Sequence, residues 1–440
     1  YELYADLLVS RGSKSNDERD IALALQVSER ARARTLVELL QEARIDIKKG
    51  ENEKALDELQ ETLNAKYRDR TTLLSGKPTA EQIEKAAAEI NSLNAEVERL
   101  QVKIRRENPA YADITYGSAL SSSEIRELLD DKTVLLEYKL GDTRSFVWLV
   151  TRESVRVFPL PSRKEIEATA TQYYISVSSG NAGKADVERL GKDLDQILLG
   201  SVAPLIRKNR VVIVADGVLQ YIPFSAMPSL GSNETVGLPS AGVLAELRRT
   251  TIDRQPTTKK VAIFGDPVFE PNDSRLANSK AGLKERPASV GKALRDFNPG
   301  TELSRLLASR LEAKAIASLF PPDQVKVNLD FEANIRSVQG NALKQFNIIH
   351  FATHGLVDTQ RPESSSLIFS LFDRDGKSID GFMRLKQIYD MDLSSDLVVL
   401  SACQTALGKD VRGEGLIGLT RGFMFAGAPR VVASLWKVDD

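Results

Sequence analysis

Cysteine is nearly missing from this chain and histidine is close behind: 440 residues hold one of the first and two of the second. A single thiol excludes an intrachain disulfide framework and fits a reducing compartment, so a cytoplasmic location is expected. One Cys and two His cannot build a structural zinc centre either. The chain also has little net charge, −1, since 60 Lys and Arg stand against 61 Asp and Glu. That balance provides no long-range field for nucleic acid or an anionic membrane, and neither is expected as a partner. No apolar run approaches about 18 residues, so no spanning helix is expected.

Common ligand motifs fail in turn. There is no G-x-S-x-G elbow. "GNAGKA" has the wrong spacing for a phosphate loop, and no Ser or Thr follows its Lys. "DRDGKSIDG" (373–381) starts like a calcium loop but lacks the closing Glu, so it reads as a hairpin turn between "LIFSLF" and "FMRL". No cofactor or metal is expected.

The length suggests two to four domains at about 100–200 residues each. Residues 1–112 contain almost no Gly or Pro and read as helix. A first pattern starts from a cap at Asn16 or Asp17 and runs through Ile21, Leu25, Ser28, Leu36, Leu39 and Leu40. A second uses Leu56, Leu59, Leu63, Tyr67 and Leu74, and the turn signal "SGKPTA" breaks it. Beyond the turn, Ile83, Ile90, Leu93, Val97, Leu100 and Ile104 form a heptad stripe. Two such stripes predict an antiparallel helical hairpin with arms of about 25 to 28 residues. The charged residues between them read as a solvated face.

After Pro109 the texture changes. Ser121 and Glu124 have capping-box spacing, and 133–160 is β-branched and aromatic, a hairpin or meander. Residues 163–208 read as helix and "RVVIVADG" as a buried strand. The alternation repeats: strand 259–267, helix 301–320, strand "FNIIHFATHG", crossover helix "RLKQIYDM", strand "LVVLSACQT", helix "GEGLIGLTRGFMFAGA", strand "RVVASLWKV". Continuous apolar strands separated by helices predict an α/β fold whose mostly parallel sheet is flanked by helices. Two α/β units are expected, 118–252 and 258–440, with 272–300 as a mobile loop. No helix covers the last strand, so the second unit is expected to continue past Asp440.

Both histidines lie in "NIIHFATHG" (347–355) and the lone cysteine in "LVVLSACQT" (397–405). Ligands of an open parallel sheet bind beyond the carboxyl ends of its strands, and His354 and Cys403 occupy two such ends. A thiol of ordinary pKa, about 8.5, needs a neighbouring base, which an imidazole supplies. The backbone N–H groups of Gly355 and Cys403 can serve as oxyanion donors. His350, between Ile349 and Phe351, reads as a packed core histidine.

"HFATHGLVD" and the stretch "DLVVLSACQTALGKDVRGEGLIGLTRGFMFAGAPRVVASLWKVDD" resemble the CHAT domain, a caspase-related module often preceded by tetratricopeptide repeats. "VIVADGVLQYIPFSAM" and "VAIFGDPVF" extend the resemblance over roughly 118–440, and "ALQVSERARARTLVELL" is similar to the closing helices of a repeat array. The resemblance implies a caspase-like fold, with 118–252 as a pseudo-caspase unit, and a cysteine endopeptidase with His354 and Cys403 as its dyad. The match is not complete. Caspases carry Gln-Ala-Cys-Arg-Gly where this chain has Ser401, Ala402, Cys403, Gln404 and Thr405, so cleavage after Asp is not supported. Ser401, Asp358 and Glu414 can line a substrate pocket, or the two acids can be ordinary loop carboxylates.

The expected partners are a protein or peptide substrate and a regulatory protein received by the helical N-terminal region. The alternative is a non-catalytic module that keeps the caspase-like fold for binding.

Overall fold

The computed structural model describes residues 2–15, 17–30, 32, 55, 58, 59, 62, 66, 79–107, 120–180, 182–206, 210–252, 254, 256–276, 303–356, 365–401, 409–411 and 415–436. The chain divides into two compact units, residues 1–37 with 119–440, and residues 38–118. Helix α1 (Glu2–Ser15) packs against α2 (Glu18–Arg30). Asp17 opens α2, its carboxylate accepting the N–H of Arg19 at 2.9 Å, as a cap should. In the smaller unit the heptad stripe becomes α3 (Ala80–Glu107). Its start is fixed by a reciprocal cap: Gln82 N–H donates to Thr79 Oγ1 at 3.2 Å, and Thr79 N–H to Gln82 Oε1 at 2.8 Å. Leu36, Leu39, Leu40, Leu56, Leu63, Tyr67 and Leu74 of the expected helical patterns lie outside the described residues.

In the larger unit, the predicted capping box at Ser121 and Glu124 starts α4 (Ser122–Glu127). Strands β1 (Thr133–Lys139), β2 (Ser145–Val150) and β3 (Val155–Leu160) form the expected meander. Helices α5 (Arg163–Ser178) and α6 (Lys184–Leu199) follow, then β4 (Arg210–Val214), β5 (Glu234–Leu238) and α7 (Ala241–Ile252). The sheet order is β3-β2-β1-β4-β5, with β1, β4 and β5 parallel. Side chains alternate across a strand, so Val134, Leu136 and Tyr138 meet Ile166, Tyr173, Leu194 and Leu198 of α5 and α6. Leu135, Phe146, Trp148 and Val150 point the other way, onto Ala5, Leu8, Ala24 and Leu25 of α1 and α2. Both faces are therefore covered, which is why these strands read as unbroken apolar runs. The first two helices thus share a core with this sheet, a grouping that the continuous helical reading of 1–112 does not make.

A second sheet contains β6 (Lys259–Pro267), β7 (Val325–Asp330), β8 (Phe346–Ala352), β12 (Leu397–Ser401) and β15 (Val431–Ala433). Its order is β15-β12-β8-β6-β7 and every pairing is parallel. Helix α8 (Leu307–Ala317) covers one face, with Ala313 and Ile316 on Val261, Ile263 and Ile348. Helices α9 (Leu385–Tyr389) and α10 (Leu419–Phe425) cover the other, with Ile388 and Phe423 among Phe264, Phe351, Val398 and Leu400. Two small antiparallel pieces complete the unit: β9 (His354–Leu356), β10 (Ser366–Ile368) and β11 (Phe382–Arg384), and the hairpin β13 (Lys409–Val411) with β14 (Gly415–Ile417).

Three local expectations change. "FNIIHFATHG" is not one strand: β8 stops at Ala352, and His354 belongs to β9 of a different sheet. The hinge is Thr353, a buried residue whose hydroxyl donates to the Ile368 carbonyl and turns the chain toward β10. The helix expected from 301 begins only at Leu307, because 303–306 is held out of helical conformation by contacts described below. In "GEGLIGLTRGFMFAGA", 415–417 pair with β13 and, among the described residues, only Leu419–Phe425 is helical. The "DRDGKSIDG" turn is as expected: Asp373 Oδ1 accepts the N–H groups of Asp375 and Lys377 at 3.0 and 2.9 Å, so that carboxylate holds the turn.

Candidate active site

Strands β8 and β12 are adjacent and parallel, and Ala352 is the register partner of Ser401. His354 stands two positions beyond Ala352, and Cys403 two beyond Ser401. Cys403, Asp358 and Glu414 lie outside the described residues. His354 is half-buried, and its ring centroid lies 4.8 Å from that of Phe269. Its Nε2 is 2.7 Å from the Ser304 carbonyl oxygen. A carbonyl can only accept, so Nε2 carries the hydrogen and, in the neutral ring, Nδ1 carries the lone pair. Gly355 follows on β9 opposite Leu367.

Ser304 sits in a tightly held stretch. Leu303 is buried with Phe269, Ile368 and Phe372. Arg305 forks onto Asp266, Nε to Oδ1 at 2.9 Å and Nη2 to Oδ2 at 2.8 Å. The Leu306 carbonyl accepts the Ser309 hydroxyl at 2.7 Å. Asp266, at the carboxyl end of β6, is fully buried and has a left-handed φ of 44°. Asp tolerates that region better than most residues. Arg310 Nε also reaches Asp266, at 2.6 Å, and Arg275 lies 3.2 Å away. Burial works against the charge of Asp266, yet the hydrogen bonds of Arg305 and Arg310 and the charge of Arg275 outweigh it and hold the carboxyl below its ordinary range.

His350 is buried on the α8 face, as the packed reading expects, but beside a carboxylate. Its Nε2 lies 3.1 Å from Glu312 Oε1. The Ser401 hydroxyl donates to Glu312 Oε2 at 3.2 Å. The His350 imidazole is the chief influence holding the Glu312 carboxyl below its usual range, against its partial burial. The sequence reading named Ser401 for a pocket and missed both Glu312 and the Asp266 cluster. The one available signal for the latter was "GDP" ending an apolar strand.

A second polar cluster lies at the carboxyl end of the first sheet. Arg32, just past α2, sits 3.1 Å from Glu137 on β1 and donates to the Ala215 and Tyr138 carbonyls. Ser28 donates to Glu137 at 2.6 Å. Glu29 accepts the Ala241 and Gly242 N–H groups at the start of α7, at 3.0 and 3.1 Å.

Helices on both faces of an open, all-parallel sheet, with the histidine on the short strand that follows β8, define an α/β protein. Residues 188–440, more than half of the chain, match the CHAT domain, and the chain belongs to the CHAT domain family. It is 26% identical over 284 residues to tetratricopeptide repeat protein 28 of Mus musculus and of Homo sapiens. That match covers 55% of this chain and 10% of each relative, so the chain spans a small part of their length. Two crystal structures of the Saccharomyces cerevisiae separase–securin complex are similar at TM-scores of 0.44 and 0.40 and identities of 10% and 11%. They cover 89% and 84% of this chain, and 34% and 31% of the solved chains. Among the described residues no helix is long and apolar enough to cross a membrane.

Proposed function

We propose that the chain is a regulated cysteine endopeptidase acting through Cys403 and His354. The observation that carries the reading is the 2.7 Å contact of His354 Nε2 with the Ser304 carbonyl, which leaves Nδ1 as the basic nitrogen of the neutral ring. The shared register of Ala352 and Ser401 supports it, since His354 and Cys403 follow at equal steps.

In this reading Nδ1 takes the thiol proton and the thiolate attacks the scissile carbonyl carbon, forming the C–S bond while the carbonyl π pair moves to oxygen. The N–H groups of Gly355 and Cys403 receive that oxyanion. Collapse breaks the C–N bond, and the leaving amine takes the proton from His354. Water then gives a proton to Nδ1, attacks the thioester and restores the thiol. Ser401, Asp358 and Glu414 remain the candidates for the substrate pocket.

Regulation is supported by a line of contacts inside the larger unit. Arg32 fastens the end of α2 to the first sheet, and Glu29 fastens it to the start of α7. The turn Gly217–Tyr221 beyond β4 lies alongside β14, and the Tyr174 hydroxyl donates to the Leu435 carbonyl, past β15, at 3.3 Å. A protein partner on the N-terminal helices would thereby act on elements flanking the nucleophile.

Cleavage of a peptide library by the protein and by Cys403→Ala tests the reading. It predicts loss of cleavage in the variant. Equal activity would rule the mechanism out, and no cleavage by either would favour the interaction module.

A further inference from the structure

A base that must take a proton along one direction needs its ring held in one orientation and one tautomer. For His354 the acceptor that selects the tautomer is the Ser304 carbonyl. A lone carbonyl on a connecting segment would be a poor anchor, but this segment is fixed on both sides of Ser304. Leu303 is 1% exposed, and Arg305 makes a two-bond fork to a carboxylate that is itself 0% exposed. Asp266 is fixed in turn, because its N–H donates to Ser309 Oγ at 2.8 Å and its carbonyl accepts from Arg275 at 2.7 Å.

We propose that Asp266 and Arg305 are positioning residues for His354: their paired fork fixes the Ser304 carbonyl, and that carbonyl keeps the imidazole in the Nε2–H tautomer with Nδ1 as base. Its catalytic consequence rests on the cysteine-peptidase reading; the tautomer claim does not. The fork is specific to Arg305. Arg310 reaches the same carboxylate from α8, outside the 303–306 segment, so its loss removes charge from the cluster without freeing Ser304.

The chain has only two histidines, so protein labelled with 15N-histidine gives two imidazole signal sets, assigned through His354→Gln. The proposal expects wild-type His354 as the Nε2–H tautomer above its titration. Arg305→Gln should show a mixture of tautomers and Arg310→Gln the wild-type pattern. Arg305→Lys, which keeps the charge but presents one nitrogen in place of the two-nitrogen fork, should fall between and covers the case in which the Gln variant does not fold. In peptide cleavage, Arg305→Gln should lose about tenfold to hundredfold in kcat with KM little changed. An unaltered His354 tautomer in both Arg305 variants, or an equal change in Arg310→Gln, would overturn the proposal. Wild-type cleavage by Cys403→Ala would instead remove the peptidase reading and leave the spectroscopic result standing.

Discussion

Ala352 and Ser401 face one another on neighbouring parallel strands, and each is followed two positions later by one of the rarest side chains in the molecule. The separation of 49 positions between His354 and Cys403 is also that between the paired strand ends. The intervening chain makes the β9-β10-β11 sheet and α9 before returning to the adjacent strand. His354 thus leaves the main sheet at the same level as the strand that leads to the thiol.

The Arg32 cluster yields a stability prediction. Burial and the charge of Glu29 push the Glu137 carboxyl upward, and Arg32 works against that rise. Arg32→Met leaves a buried acid without its cation, a change that costs about 3–5 kcal/mol. Denaturant unfolding should show that loss, with Glu137→Gln in the same chain recovering part of it.

Gly427 yields another. It closes α10 before β15 with a left-handed φ of 112°, and an added Cβ would stand 2.4 Å from the Leu393 carbonyl oxygen. Leu393 N–H donates to the Ala426 carbonyl at 2.8 Å, so the two segments cannot simply part. Gly427→Ala should destabilise by about 1–3 kcal/mol, read as a lower unfolding midpoint at unchanged denaturant slope.

Acid should weaken the larger unit through its paired carboxylates. Burial of Asp266 and Asp273 opposes ionisation, but arginine partners hold both below the reference value of 3.8. A depressed folded pKa stabilises above the unfolded value, and that gain is lost as pH falls through the folded one. Stability should therefore decline as pH drops below about 4, with a shallower decline in Asp266→Asn. Unfolding series from pH 7 to pH 3 on both proteins measure the difference.

Strand positions were legible because apolar residues on both faces leave a continuous signal, as in "VVIV" of β4 and "NIIHFA" of β8. The departure of His354 into β9 was not. Thr353 continues the β-branched pattern, and its turn depends on a hydroxyl contact to Ile368, 15 residues away. Charge pairs such as Asp266 with Arg305, 39 positions apart, leave no periodic trace, and the leucines around Arg305 read as the start of a helix. Ser401 was noticed for standing where caspases carry Gln, but Glu312 is linked to it only through the packing of α8 on the sheet.

The alkylation rate of Cys403 as a function of pH, in the wild type and in His354→Ala, addresses the central claim most directly, since the chain has no second cysteine to confuse the reading. A thiol sharing its proton with the imidazole should react with iodoacetamide at pH 6 faster than a free thiol of pKa about 8.5, and should lose that advantage in the variant. A wild-type profile that rises only near pH 8.5 and is unchanged by the His354 substitution would contradict the account.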